Sequence, residues 1–142
     1  MKVAIYSRGL DHDLKAQLIL LVTELQKYDI QILLFQQLPN YGLEVDAKGI
    51  SLFSHHSQLN EDVDCLISLG GDGTILDAVT LVRNKNIPIL GINFGRLGFL
   101  AGIGREDLTN AVDALVNRTY VVDKRTLIHL DGSLPLFDDA PF

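Results

Sequence analysis

Asp64-Cys65-Leu66-Ile67-Ser68-Leu69-Gly70-Gly71-Asp72-Gly73-Thr74-Ile75-Leu76-Asp77-Ala78-Val79 passes from an apolar run, through a glycine-rich turn, into a helical pattern. The run from Asp64 to Leu69 is short, rich in branched residues and closed by a glycine pair. It therefore predicts a buried central strand. From Thr74 to Arg83 the apolar residues Ile75, Leu76, Val79 and Val82 recur at helical spacing, which predicts a helix with those four side chains inward. A strand, a glycine turn and a helix in immediate succession are the repeating unit of a parallel sheet covered by helices.

The same alternation continues on both sides of this segment. Val3 to Tyr6 reads as a first strand. Asp11 to Lys27 reads as a helix, with Leu14, Leu18, Leu21, Val22 and Leu25 in phase, and Ile30 to Phe35 as a second strand. Between Gln36 and Asn60 the pattern weakens: Pro39-Asn40-Tyr41-Gly42 is a turn, and Ile50 to Phe53 suits a short strand. Pro88 to Asn93 reads as a further strand and Glu106 to Asn117 as a helix, with Leu108, Val112, Leu115 and Val116 inward. Tyr120 to Leu130 alternates as a strand would, without a helix after it. No internal repeat or low-complexity linker interrupts the chain.

The bulk properties narrow the function classes. A chain of 142 residues, 47% apolar, is long enough for a buried core and too apolar for disorder. Its formal net charge of −6 disfavours a nucleic-acid backbone as partner. Nucleotide substrates stay open, because backbone N–H groups, helix N-termini and metal ions hold phosphate locally. The single cysteine, Cys65, cannot form an internal disulfide, which fits a reducing compartment. The N-terminus enters a strand at once, so no signal peptide is expected. The longest apolar stretch, Leu18 to Val22, is far short of a membrane span. A soluble cytoplasmic protein is expected, without nucleic-acid or membrane partners.

Gly70-Gly71-Asp72-Gly73-Thr74 lies at the carboxyl end of a strand, where open α/β sheets bind ligands. Glycines there let backbone approach a ligand, and the helix beyond offers amide donors to phosphate. A carboxylate at that tip is costly beside phosphate unless it binds metal or takes a proton, so Asp72 is the candidate catalytic residue. No Gly-x-x-x-x-Gly-Lys-Ser/Thr loop occurs. The dinucleotide fingerprint also fails, with Leu76 where its third glycine belongs. A second cluster, Gly91-Ile92-Asn93-Phe94-Gly95-Arg96-Leu97-Gly98-Phe99-Leu100, follows the next strand and should line the same crevice. Phe94 and Phe99 suit stacking on a base or packing at the loop base, and Asn93 offers a donor and an acceptor to sugar or phosphate.

The pentad Gly70 to Thr74 resembles the loop of NAD kinases, diacylglycerol and sphingosine kinases and, more loosely, 6-phosphofructokinases. Asn93-Phe94-Gly95-Arg96-Leu97-Gly98-Phe99-Leu100 looks like the NAD kinase pattern Asn-x-Gly-x-x-Gly-Phe-Leu, and the lipid-kinase Pro-x-Gly-Thr-x-Asn-Asp segment is not found. The resemblance covers nearly the whole chain but only the N-terminal half of the family. It implies that Asp72 accepts the proton of the adenosine ribose 2′-hydroxyl of NAD, which then attacks the terminal phosphate of ATP. It further implies Gly73 as a backbone contact to the nucleotide, Phe99 beside the adenosine, and the remaining glycines of both loops as shapers of the crevice; Gly70, Gly71, Gly73, Thr74, Asn93 and Phe99 are the expected nucleotide-binding residues. Mg²⁺ is the implied cofactor, with no residue of this chain assigned to it. ATP or polyphosphate is the implied donor, and the full-length protein is expected to be a homo-oligomer. Some relatives carry an arginine five residues after the aspartate. This chain has Asp77 there, so that contact does not transfer. A lipid or sugar kinase of the same superfamily, or a nucleotide-binding domain without turnover, is the alternative.

The expected fold is α/β: a three-layer, Rossmann-like, mostly parallel sheet flanked by helices over residues 1–119, with the start of a β-rich second domain over 120–142. The family's Asn-Asp or Asn-Glu motif and the rest of that domain lie beyond this stretch, so the chain reads as part of a longer protein and is not expected to turn over alone. Elsewhere, Arg8 after the first strand suits either a crevice contact to ATP or a surface ion pair. Arg96 suits a phosphate contact or a solvated loop. His55-His56 reads as a surface loop with rings pointing apart, not a zinc site. Cys65 reads as a small buried hydrophobe, and Asp138-Asp139 as a solvated turn.

Overall fold

The computed structural model describes residues 1–9, 12–38, 48–95 and 98–127. The expected turn at Pro39 to Gly42, Arg96, and Asp138-Asp139 lie outside the described residues. The elements are β1 (Lys2–Tyr6), α1 (His12–Gln26), β2 (Gln31–Phe35), β3 (Ile50–Phe53), β4 (Cys65–Leu69), α2 (Asp72–Val82), β5 (Ile89–Ile92) and α3 (Leu108–Val116).

Among the described residues the strands form one sheet of order β3-β2-β1-β4-β5, and every pairing is parallel. β1 is central: Val3 pairs with Ile32 on one side and Cys65 on the other. Because side chains alternate across a strand, β1 supplies both layers of core. Val3 and Ile5 join Leu18, Leu21, Val22 and Leu25 of α1 and Leu108, Val112 and Leu115 of α3. Ala4 and Tyr6 turn to the opposite face and join Ala78 and Val82 of α2. The result is the expected helix–sheet–helix sandwich. A helix of the length of α1 is marginal alone in water. Each of its four fully buried aliphatic side chains contributes about 1.5–3 kcal/mol, so packing on the sheet holds it.

The structure departs from the sequence expectation in α2 and after α3. The buried seam of α2 is Thr74, Ala78 and Val82, while Leu76 is 58% exposed. Small side chains at 74 and 78 let the helix settle close to the sheet, which turns Leu76 outward. The helix also begins at Asp72, two residues earlier than the apolar spacing suggested, with Gly71 as its N-cap. Tyr120 to Leu127 is exposed and forms no strand, with Val121 95% exposed. A strand needs a neighbour for its backbone groups, and this stretch pairs with none of the five described strands. Among the described residues no helix is long and apolar enough to cross a membrane.

Candidate nucleotide crevice

The chain proceeds outward from β1 through β2 to β3, then returns to place β4 on the other side of β1. That reversal falls at the carboxyl ends of β1 and β4, the position where doubly wound sheets take ligands in a crevice. The two strand ends are tied together: the buried Ser7 hydroxyl lies 2.8 Å from the Leu69 carbonyl oxygen, to which it donates. Gly70 then turns the chain at φ +143, a conformation few side chains tolerate. A Cβ there would also lie 3.1 Å from the Thr74 Cβ, so the residue is fixed as glycine by both conformation and space. Gly71 caps α2, and Asp72 and Gly73 form its first turn.

The second glycine cluster meets this loop as anticipated. Gly70 donates its N–H to the Ile92 carbonyl at 2.9 Å, and Asn93 donates its own to Ile103 at 2.8 Å. The Asn93 side chain is buried and braces its own turn, with Oδ1 accepting from the Gly95 N–H at 3.0 Å. A Cβ on Gly71 would lie 3.9 Å from the Asn93 amide nitrogen, so the two loops are in contact there. Phe94 packs against the α1–α3 core cluster, the packing alternative for that ring. Phe99 is 83% exposed, with the Arg125 guanidinium carbon 5.7 Å from its ring centroid.

Asp72 is held in a way the sequence did not disclose. Its Oδ2 accepts the Phe99 N–H at 2.8 Å, and its Oδ1 accepts those of Leu100 at 2.9 Å and Ala101 at 3.0 Å. The carboxylate thus needs neither a metal nor a proton to sit at this tip. Three amides and the positive end of α2 stabilise it. Those amides, Ala101 foremost, hold its pKa below the usual carboxylate value. Gly98 makes the approach possible, because a Cβ there would lie 2.6 Å from the Asp72 Cγ. A carboxylate has about four acceptor positions, so with two bonds on Oδ1 and one on Oδ2 a single position on Oδ2 remains open.

Arg8 forms the ion pair that was one of its two readings, and its partner is Asp77. Its Nε and Nη2 both face the Asp77 carboxylate, Nη2 at 2.7 Å from Oδ1, and the Tyr6 hydroxyl donates to Oδ2 at 3.2 Å. His55 and His56 depart from expectation. Their rings sit 4.0 Å apart, because His55 caps a short turn over His56–Gln58 instead of lying in an extended loop. Cys65 is buried, and desolvation pushes its thiol up to about 12, which makes it an inert hydrophobe. Among the described residues no three His, Cys, Asp or Glu side chains converge on one point.

What the sequence missed is the partner set of Asp72 and the pairing of Asp77 with Arg8. The glycine at 98 is the residue type that could have signalled the close approach to Asp72.

Residues 44–120 match the family model described as the ATP-NAD kinase N-terminal domain. The chain is 39% identical over 120 residues to an NAD kinase of Cytophaga hutchinsonii, covering 83% of this chain and 41% of that protein. It is 37% identical over 134 residues to an NAD kinase of Flavobacterium psychrophilum, covering 92% and 45%. The chain therefore spans less than half the length of these curated relatives. Its fold is similar to that in a crystal structure of yeast NADH kinase complexed with NADH, with TM-score 0.68 at 21% identity, over 82% of this chain and 36% of that one. Carrying the matched segment across both glycine loops and the crevice between them, this chain belongs to the ATP-NAD kinase N-terminal domain family.

Proposed function

We propose that the protein carrying this chain is an NAD kinase, which transfers the terminal phosphate of ATP to the 2′-hydroxyl of the adenosine ribose of NAD. The observation that carries the reading is the fixed Asp72 carboxylate at the strand-order reversal, with one acceptor position open on Oδ2, the oxygen that also accepts the Phe99 N–H. The ribose hydroxyl donates to that position, and Phe99 flanks the adenosine. Gly70, Gly71, Gly73 and Thr74 keep the loop narrow, so that phosphate reaches the amides of the first turn of α2. Asn93 acts by bracing the second loop. Phosphoryl transfer passes through a loose transition state in which the hydroxyl proton leaves late. Asp72 therefore acts chiefly by orienting the nucleophile and then accepts its proton. Mg²⁺ arrives on the triphosphate of ATP, and no residue of this chain is assigned to it. A β-rich second domain of the longer protein completes the NAD site, and the cytoplasm supplies both substrates.

The test is NADP formation from NAD and ATP by the full-length protein, with diacylglycerol and fructose 6-phosphate as rival acceptors. Transfer to NAD supports the reading; transfer only to a lipid or sugar overturns it.

The electrostatics of Asp72 add a pH prediction. With its pKa lowered by the three amides, the carboxylate is already ionised throughout the neutral range. The kcat/KM profile is expected to lack an Asp72 limb between about pH 5 and about pH 8. The stability contribution of the same hydrogen bonds is complete above the unfolded carboxylate value of about 4 and is lost as pH falls through the lower folded value. An acid limb centred near neutrality, unchanged when His55 and His56 are replaced, would count against this assignment.

A further inference from the structure

Arg8 leaves β1 at the crevice edge, and its two-point contact with Asp77 fixes the plane of its guanidinium. The pairing uses Nε and Nη2, so Nη1 is the nitrogen turned away from the carboxylate. A Cβ built on Gly73 would lie 3.1 Å from that Nη1, closer than to any other atom nearby. The guanidinium is therefore laid over the first turn of α2 at a residue without a side chain, with Asp72 next in sequence. The charge states are locked: Asp77 is held below the usual carboxylate value first by its hydrogen bond from Arg8, and Arg8 is raised by the same bond. Tyr6, desolvated and beside Asp77, is pushed up to about 12 and stays a donor to it. The Arg8 side chain is 61% exposed, and a surface pair of this kind contributes little to stability. The arrangement instead leaves a pre-oriented cation facing the loop.

We infer that Arg8 contacts phosphate in the crevice through Nη1, with Asp77 as the residue that positions it. This rests on the nucleotide-crevice reading above. The ligand chemistry is a di- or triphosphate chain, which either the donor or the dinucleotide carries. Orienting the fork in advance lowers the entropy lost when phosphate binds. A glycine at position 73 lets the phosphate come within reach of Nη1 and the helix amides together.

The experiment compares wild type, Arg8→Ala, Arg8→Lys and Asp77→Asn in the full-length protein. Steady-state kinetics are run with ATP and NAD varied in turn, and inorganic pyrophosphate is titrated calorimetrically. Arg8→Ala is expected to raise KM for one of the two substrates about tenfold and to weaken pyrophosphate binding similarly, with kcat changed less than about threefold. Whichever KM moves identifies the phosphate chain touched. Arg8→Lys should recover part of the loss. Asp77→Asn, which keeps the cation but frees it, should fall between Arg8→Ala and wild type. If Arg8→Ala lowers only the thermal midpoint and leaves both KM values and pyrophosphate binding unchanged, the inference is overturned and the pair is a surface staple. If wild type does not phosphorylate NAD, the proposed function fails, while the pyrophosphate titration still decides the role of Arg8.

Discussion

Asp72→Asn is expected to lower turnover of the full-length protein about 10²- to 10⁴-fold, the range for removal of a positioned base. The structure adds a second consequence. Asparagine keeps one acceptor oxygen where the carboxylate offers two, and its NH₂ group would face either the Phe99 N–H or those of Leu100 and Ala101. A donor then opposes a donor, and one side of the contact is lost. Hydrogen exchange at residues 99–101 should accelerate while β1 and β4 keep their protection. Turnover within about threefold of wild type would remove Asp72 from the chemistry. Loss of turnover with unchanged exchange would show that the amide contacts are not what holds the loop.

Gly98→Ala carries the second large effect. The added methyl would lie 2.6 Å from the Asp72 Cγ, and the carboxylate has to move to accommodate it. Such overpacking typically costs about 1–3 kcal/mol, and here the displaced group is the proposed nucleophile-orienting residue. Turnover is expected to drop at least about a hundredfold, since small misplacement of a reacting geometry has effects of that size. NAD binding should weaken far less than kcat falls. A Gly98→Ala variant with near-native kcat would mean that the carboxylate works equally well after moving.

Much of the fold was legible because strand and helix periods differ. β1, β2, β4 and β5 are short branched runs, and α1 and α3 carry clear helical stripes. The face of α2 was misjudged because Leu76 is a large apolar residue adjacent to the true seam. The seam itself uses Thr74 and Ala78, whose small size is what packing required. At the site, the glycine pentad announced a close approach of backbone. The partners of Asp72, however, lie 27 to 29 residues later in the chain, and their amides belong to the backbone, so no residue type marks them. The contact between Arg8 and Asp77 spans 69 residues and likewise depends on how the sheet is ordered.

That ordering also has a consequence for how the molecule is made. β1 emerges from the ribosome before the strands that flank it, yet its second flank stays open until β4, some sixty positions further on, has been synthesised and has crossed back beside it. The nascent chain thus carries an unsealed apolar ribbon until β4 is made, and pairings this distant close slowly. Assistance from a holdase should matter most in that interval, and substitutions that make the exposed ribbon stickier should reduce yield before they reduce the stability of the finished domain.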